Sequence, residues 1–266
     1  MRRLLDWARA SILLYHRLVE PVMGHPRHAE ALSASRVALE IDCSRECTHV
    51  ADLRERIEGA VVCVIGPKAL VSDDVESLVE ECDELAAPEG GHIALVAGGL
   101  KALYVTSDLD SSLLSIASMA GSTRYLLVHV HGDNHYRIPL ASMAGGGLVP
   151  VLYTSQVDSI GCVLSLGGYT DGDRAAIVSM GLGAREVRMI GFGSLATRDL
   201  ERARSAAIPF KDYVTRSVFE TSKLKYELGM RLLAELARIK GYDAVWRESL
   251  ASRSIGFKVL SLKKKG

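Results

Sequence analysis

The feature that most constrains this chain is a change of texture near residue 60. From there on, short runs rich in Val, Ile and Leu alternate with longer stretches of helical periodicity. The runs are apolar at successive positions, so a strand built from them has two faces to bury, as in a parallel sheet with helices on both sides. Strands are expected over residues 61–65, 93–96, 102–106, 125–129, 162–166 and 187–190, with "GFKVLSL" as a late addition. Helices are expected over 74–85, 111–120, 173–180 and 218–240, the last stopping on Gly241. Upstream, Leu4, Leu5, Ala8, Ile12 and Tyr15 recur at helical spacing, a pattern stopped by Pro21 and "GHPRH", and a short helix is expected over 50–57. The expected fold is α/β, an open, mostly parallel, Rossmann-like sheet with helices on both faces. A small, mostly helical segment (1–58) is expected to precede an α/β domain (59–266).

Charge and composition narrow the partners. The chain carries 32 basic and 32 acidic side chains in 266 residues, which leaves no electrostatic footprint for a nucleic-acid backbone. A small-molecule partner is expected, with neither nucleic acid nor membrane; self-association into a homo-oligomer stays open. Five cysteines are an odd count, and Cys63 and Cys162 lie in apolar runs, as reduced, buried thiols of a cytosolic protein would. Cys43 and Cys47 have no second pair at matching spacing to complete a four-ligand metal site. The N-terminus is basic with an apolar patch, but Asp6, Arg9, His16 and Arg17 interrupt it before it acquires signal-peptide or membrane-span character. A soluble, cytoplasmic protein is expected, and the final "KKK" reads as a solvated tail.

In an open parallel sheet, ligands collect outside the carboxyl ends of the strands, where loops converge and helix N-termini point inward. Three polar clusters fall at that edge. "SDLDS" (107–111) follows the run "ALYVT"; if its chain stays extended, Asp108 and Asp110 leave on the same side and can share a hard cation such as magnesium. The competing reading makes one aspartate a helix cap and leaves the other in solvent. "HVHGDNH" (129–135) repeats the geometry, with His129 and His131 on one strand face, Asp133 able to follow them, and Gly132 permitting a sharp turn. Zinc is conceivable there, but nearby carboxylates and the lack of a local cysteine favour magnesium and substrate contacts. "GGYTDGDR" (167–174) contains a capping pattern, Thr170 with Asp173, which leaves Asp171 and Arg174 without a structural task. An arginine in the first turn of a helix opposes the macrodipole and is better explained if it faces an anion, which Gly167 and Gly168 would let approach the backbone. "VIGPKAL" lacks P-loop spacing, so a Walker-type NTPase is disfavoured, although Lys68 could reach a phosphate from it.

At these clusters the sequence resembles the archaeal 6-hydroxymethyl-7,8-dihydropterin pyrophosphokinases, whose catalytic part is related to thiamine pyrophosphokinases. "VTSDLD" looks like that family's strand-end acidic motif, "VHVHGDN" like its His-x-His-Gly-Asp-Asn motif, and "GGYTDGDRA" like its Gly-Phe-Thr-Asp-Gly-Asp-Arg segment. "TSKLKYELGMRLL" is similar to its Lys-x-x-Lys-Leu helix, with Lys223 and Lys225 spaced differently. The family's Gly-x-Gly-Pro-Ser loop appears as "IGPKAL", without its first glycine and its serine. Its Met-Asp-Phe-Gly appears as "GFGS" around Phe192, without the aspartate.

The resemblance implies transfer of an intact diphosphate from ATP to the hydroxymethyl group of a reduced pterin, leaving AMP, in folate or methanopterin synthesis. It implies Mg2+ as cofactor, with ATP and a reduced pterin as partners. Asp108, Asp110 and Asp133 are the expected magnesium ligands, with Asp133 or Asp171 completing the shell or accepting the alcohol proton. Arg174 and Lys223 are expected at phosphate oxygens, Gly66, Lys68, Gly167, Gly168, Thr170 and Asp173 around the nucleotide, and His129, His131 and Asn134 at the pterin edge. Three alternatives stand beside this reading: another heterocyclic alcohol as acceptor, a sugar-nucleotide glycosyltransferase using the Asp-x-Asp pair, and a nucleotide sensor without catalysis.

Overall fold

The structure is a computed structural model, described here over residues 2–24, 27–72, 75–132, 134–144, 149–158, 161–193, 223–247 and 259–266. Its centre is a nine-stranded sheet in the order β6-β5-β4-β3-β2-β1-β7-β9-β8. The strands are β1 (Val61–Ile65), β2 (Glu84–Pro88), β3 (Ala102–Ser107), β4 (Thr123–His129), β5 (Val151–Ser155), β6 (Leu164–Ser165), β7 (Glu186–Ile190), β8 (Tyr242–Arg247) and β9 (Val259–Lys264). β1 to β7 are parallel, whereas β9 runs antiparallel to both β7 and β8. The expected α/β architecture is borne out.

Four helices precede the sheet: α1 (Arg2–Leu18), α2 (Glu20–Met23), α3 (Arg27–Glu40) and α4 (Cys43–Ile57). The others are α5 (Val75–Val79), α6 (Glu89–Ala97), α7 (Leu113–Ser122), α8 (Ile138–Ala144), α9 (Asp171–Leu182) and α10 (Lys223–Ile239). Side-chain alternation along the strands divides the core in two. Val62, Val64, Ala86, Tyr104 and Leu127 pack with α1, α4, α9 and α10. Cys63, Ile65, Ala87, Val105, Leu126 and Val128 pack with α5 to α8. The chain therefore steps outward from β1 to β6 with α5–α8 on one face, then returns along the other face through α9 to place β7 beside β1. This return carries the N-terminus of α9 across the ends of the inner strands. Thr106, at the end of β3, fixes it there by donating to the Asp171 carbonyl at 2.8 Å.

Several elements depart from the sequence reading. Residues 93–96, expected as a strand, lie inside α6, and the strand is the small-residue run Glu84–Pro88 just before it. The helix expected over 74–85 ends at Val79 among the described residues, because the chain must turn to enter β2. Pro21 stops α1 but also starts α2, where its missing N–H costs nothing. α3, β5 and β8 were not expected at all, and the helix expected over 50–57 extends back to Cys43, capped by Asp42. Positions 218–222 of the last long helix and 256–258 of "GFKVLSL" lie outside the described residues.

The cysteines also differ from expectation. Cys43 is bonded to Cys162 and Cys63 to Cys82, with Cα atoms 5.2 and 5.8 Å apart, and exposed Cys47 is free. Residues 119 positions apart meet only because β6 brings its lead-in to the start of α4. Among the described residues no helix is long and apolar enough to cross a membrane.

Candidate active site

The polar clusters converge at the carboxyl ends of β2, β3 and β4. Asp108 follows β3 directly, Asp171 opens α9, and Glu89 opens α6 immediately after β2. Ligand oxygens of these three residues lie within 4.8 Å of one another. Glu89 is the most enclosed, at 2% exposure. It accepts a short hydrogen bond from the Ser107 hydroxyl, and its Oε1 is buried without a hydrogen-bonding partner among the described residues. Burial, then the Asp108 charge, pushes its pKa up to about 7. The Asp171 carboxyl is likewise held well above the usual carboxylate range by burial and by Asp108. Three carboxylates that repel one another, Glu89 buried and Asp108 and Asp171 half-buried, one with an unused oxygen, form a donor set suited to a hard divalent cation.

Asp110 lies outside that set of three, but its carboxyl interacts with that of Asp108. The extended backbone that would point it alongside Asp108 is interrupted at Leu109, which is fully buried at φ 62°. The Asp110 pKa still rises to about 6 through loss of surrounding water and the Asp108 charge, opposed by the cations Arg137 and Lys225. Lys225 stands in the first turn of α10, so this helix reaches the acidic loop. Lys223 opens the same helix, but its side chain lies outside the described residues, as does Asp133.

Arg174 is 2% exposed, and its Nη1 donates to Asp171 Oδ1 at 2.8 Å. Its Nε is buried with no hydrogen-bonding partner among the described residues. Thr170 and Asp173 form the expected capping box, and Asp173 also accepts from the Tyr169 amide at 2.7 Å. Gly167 and Gly168 precede them at φ 70° and 86°, the left-handed region that lets the chain double back into α9.

His129 is buried with its Nδ1 3.4 Å from Thr154 Oγ1, and its ring stacks on that of His131 at 5.9 Å. Burial, followed by the charges of Arg174 and His131, holds His129 well below its ordinary pKa, hence neutral. His131 is the more accessible, with Nε2 3.9 Å from Asp108 Oδ2. The Asn134 amide is committed to backbone. It donates to the Asp108 carbonyl (2.8 Å) and the His129 carbonyl (2.7 Å), and accepts from the His131 amide (3.0 Å). At Gly132 a Cβ would stand 2.8 Å from the Ala29 Cβ, so only glycine lets α3 sit this close to the histidine loop. The N-terminal helices thus wall the site, and Gln156, just past β5, ties them in by donating to Tyr15 Oη (3.1 Å) and Glu30 Oε1 (2.9 Å).

Gly66 and Lys68 stand apart, beyond β1 and two strands from β3. The Gly66 amide donates to Ile190 at 2.7 Å and the Lys68 amide to Gly191 at 2.9 Å, packing this loop on the one after β7. Phe192 from that second loop lies against both Gly66 and Gly172 in the first turn of α9. Sequence reasoning missed Glu89 and Arg137. Glu89 was hidden by placing the strand at 93–96, which put it before a strand when it in fact directly follows one; "ELAAPEGG" carried the signal.

No family model matches the chain. Over 106 residues it is 35% identical to the 6-hydroxymethyl-7,8-dihydropterin pyrophosphokinase of Pyrococcus furiosus, a match spanning 40% of this chain and 44% of that protein, less than half its length. Over 230 residues it is 26% identical to the protein of the same name from Methanothermobacter thermautotrophicus, spanning 84% of this chain and 92% of that one. The resemblance read from the three motifs is therefore borne out: the chain is similar to archaeal 6-hydroxymethyl-7,8-dihydropterin pyrophosphokinases along most of its length.

Proposed function

We propose that this protein transfers a diphosphate from ATP to 6-hydroxymethyl-7,8-dihydropterin, giving the pterin diphosphate and AMP, in folate or tetrahydromethanopterin synthesis. The observation that carries the reading is the meeting of Glu89, Asp108 and Asp171 with Arg174 and the histidine loop at one sheet edge. The three motifs shared with the pyrophosphokinases supply most of these groups. Glu89, Asp108 and Asp171 would hold Mg2+, with Asp110 next to Asp108 and Asp133 assigned as a further ligand from the sequence alone. A magnesium ion bound there supplies charge neutralisation to the phosphate oxygens.

The remaining tasks fall to the chain itself. Attack by the pterin alcohol at the β-phosphorus forms one O–P bond and breaks the bond from that phosphorus to the bridging oxygen, which leaves with AMP. The alcohol proton passes to a carboxylate of the cluster. Asp171 or Asp133 is the assigned acceptor. Such a transfer asks mainly for alignment and charge stabilisation. Arg174 can turn its unused Nε–H toward phosphate without losing Asp171, and Lys225 approaches from α10, with Lys223 assigned a phosphate oxygen from the sequence alone. Gly66 and Lys68 would bound the nucleotide on the β1 side. His131 faces the acceptor, while neutral His129 backs it and Asn134 holds its loop.

The test is chromatography of the nucleotides formed from ATP, magnesium and 6-hydroxymethyl-7,8-dihydropterin. AMP appearing in step with the pterin diphosphate is expected. ADP would overturn attack at the β-phosphorus, and no turnover would overturn the choice of acceptor or the catalytic reading itself.

A further inference from the structure

The acidic loop does not hold its shape by itself. Leu109 between Asp108 and Asp110 is a fully buried, non-glycine residue at φ 62°, a conformation that persists only where the surroundings impose it. From within, the Leu109 amide donates to Ser107 Oγ at 2.9 Å. The Asp110 amide adds a longer bond to Asp108 Oδ1 at 3.3 Å, and the remaining restraints come from a different loop. Arg137 Nη1 donates to the Leu109 carbonyl in a short hydrogen bond and to the Ser111 carbonyl at 3.3 Å. Asn134 donates to the Asp108 carbonyl from the same segment. The carbonyls of residues 108, 109 and 111 are thus all gripped by residues 134–137, immediately downstream of the histidines.

We infer that Arg137 is a positioning residue: its guanidinium fixes the strained Asp108–Ser111 backbone so that Asp108 meets Glu89 and Asp171, joining the histidine loop to the cation-holding carboxylates as one unit. The inference rests on the reading of those carboxylates as a divalent-cation site. It says that the loop following the histidines sets cation affinity without donating a ligand. Partners that orient ligands typically change metal affinity 10–100-fold when removed.

Electrostatics and positioning make opposite predictions here, which gives the test its force. Arg137 is a cation beside the acidic loop, so removing its charge alone tightens binding of a divalent cation. Removing the restraint lets the loop relax and weakens it. The experiment is Mn2+ binding to the purified protein, read by electron paramagnetic resonance without nucleotide or pterin, on wild type, Arg137→Gln and Arg137→Lys, with far-UV circular dichroism as the check on folding. Expected are roughly tenfold or weaker binding for Arg137→Gln and recovery to within about threefold for Arg137→Lys, whose ammonium keeps a donor for the same carbonyls. Unchanged or tighter binding by folded Arg137→Gln overturns the inference and leaves the cation site standing. No Mn2+ binding by the wild type overturns the cation reading, and the inference with it. Should Arg137→Gln not fold, Arg137→Met, which preserves the packing of the stem, is judged by the same outcomes.

Discussion

Replacing Glu89 by Gln should make the metal-free protein more stable at pH 8 while removing its response to magnesium. The Glu89 pKa is about 7 in the fold against an ordinary 4.5. The folded state therefore holds the proton more tightly than the unfolded state, and stability falls as pH rises from about 4.5 through 7. A difference of about 2.5 units at 1.36 kcal/mol per unit is about 3 kcal/mol, fully expressed above pH 7 and absent below pH 4.5. Gln keeps the volume and an acceptor for Ser107, so little else changes. With 266 residues and about 2.1 cal/mol/K of unfolding entropy per residue, the gain is roughly 5 °C in Tm. The assay is thermal unfolding followed by circular dichroism in EDTA at pH 5 and pH 8, repeated with excess magnesium. Wild type and variant should be close at pH 5 and differ by roughly 5 °C at pH 8 in EDTA, with the variant higher. Magnesium should raise the wild type at pH 8 and leave the variant unmoved. A variant less stable than wild type at pH 8 in EDTA would refute the assignment of Glu89 as a strained, buried carboxylate.

Other expectations follow from the same geometry. Asp108→Ala should abolish turnover with the fold intact, as should Asp133→Ala; undiminished activity in either removes that residue from the mechanism. Arg174→Met should destabilise by about 3–5 kcal/mol at pH 8, where Asp171 loses its buried counter-charge, and by less at pH 5; a urea titration at both pH values decides it. Alkylation under denaturing, non-reducing conditions should label one cysteine, Cys47, and labelling of all five would refute both disulfides. In the chain-entropy model the Cys43–Cys162 bond, closing 119 residues, is worth about 5 kcal/mol, and Cys63–Cys82, closing 19, about 3 kcal/mol. Cys43→Ser with Cys162→Ser should therefore lower the urea midpoint more than Cys63→Ala with Cys82→Ala does, once the cavity left at buried Cys63 is allowed for.

The acidic loop shows why reading the site from sequence went only part of the way. Alternation expects an extended backbone through Asp108 and Asp110; Leu109 at φ 62° breaks it, yet the two carboxyls still interact, and what alternation cannot supply is Glu89 and Asp171 beside Asp108. Nothing local announces a left-handed leucine, because its cost is met by Ser107, Asn134 and Arg137. The capping box at Thr170 and Asp173 is the opposite case: every partner lies within four residues, so spacing alone predicts it.

By itself the sequence determined the alternating α/β architecture, the sheet's parallel character and the three polar clusters at strand ends, because continuous apolar runs, helical periodicity and helix caps are local physics. Tertiary structure alone decided which carboxylates meet. Glu89, Asp108 and Asp171 come from three elements that are neighbours only in the sheet order and in the return of α9 across it. It also decided the cysteine pairing, since Cys43 at the start of α4 and Cys162 just before β6 are 119 positions apart in the chain. Contacts between distant segments depend on how whole elements pack, and no short window of sequence carries that information.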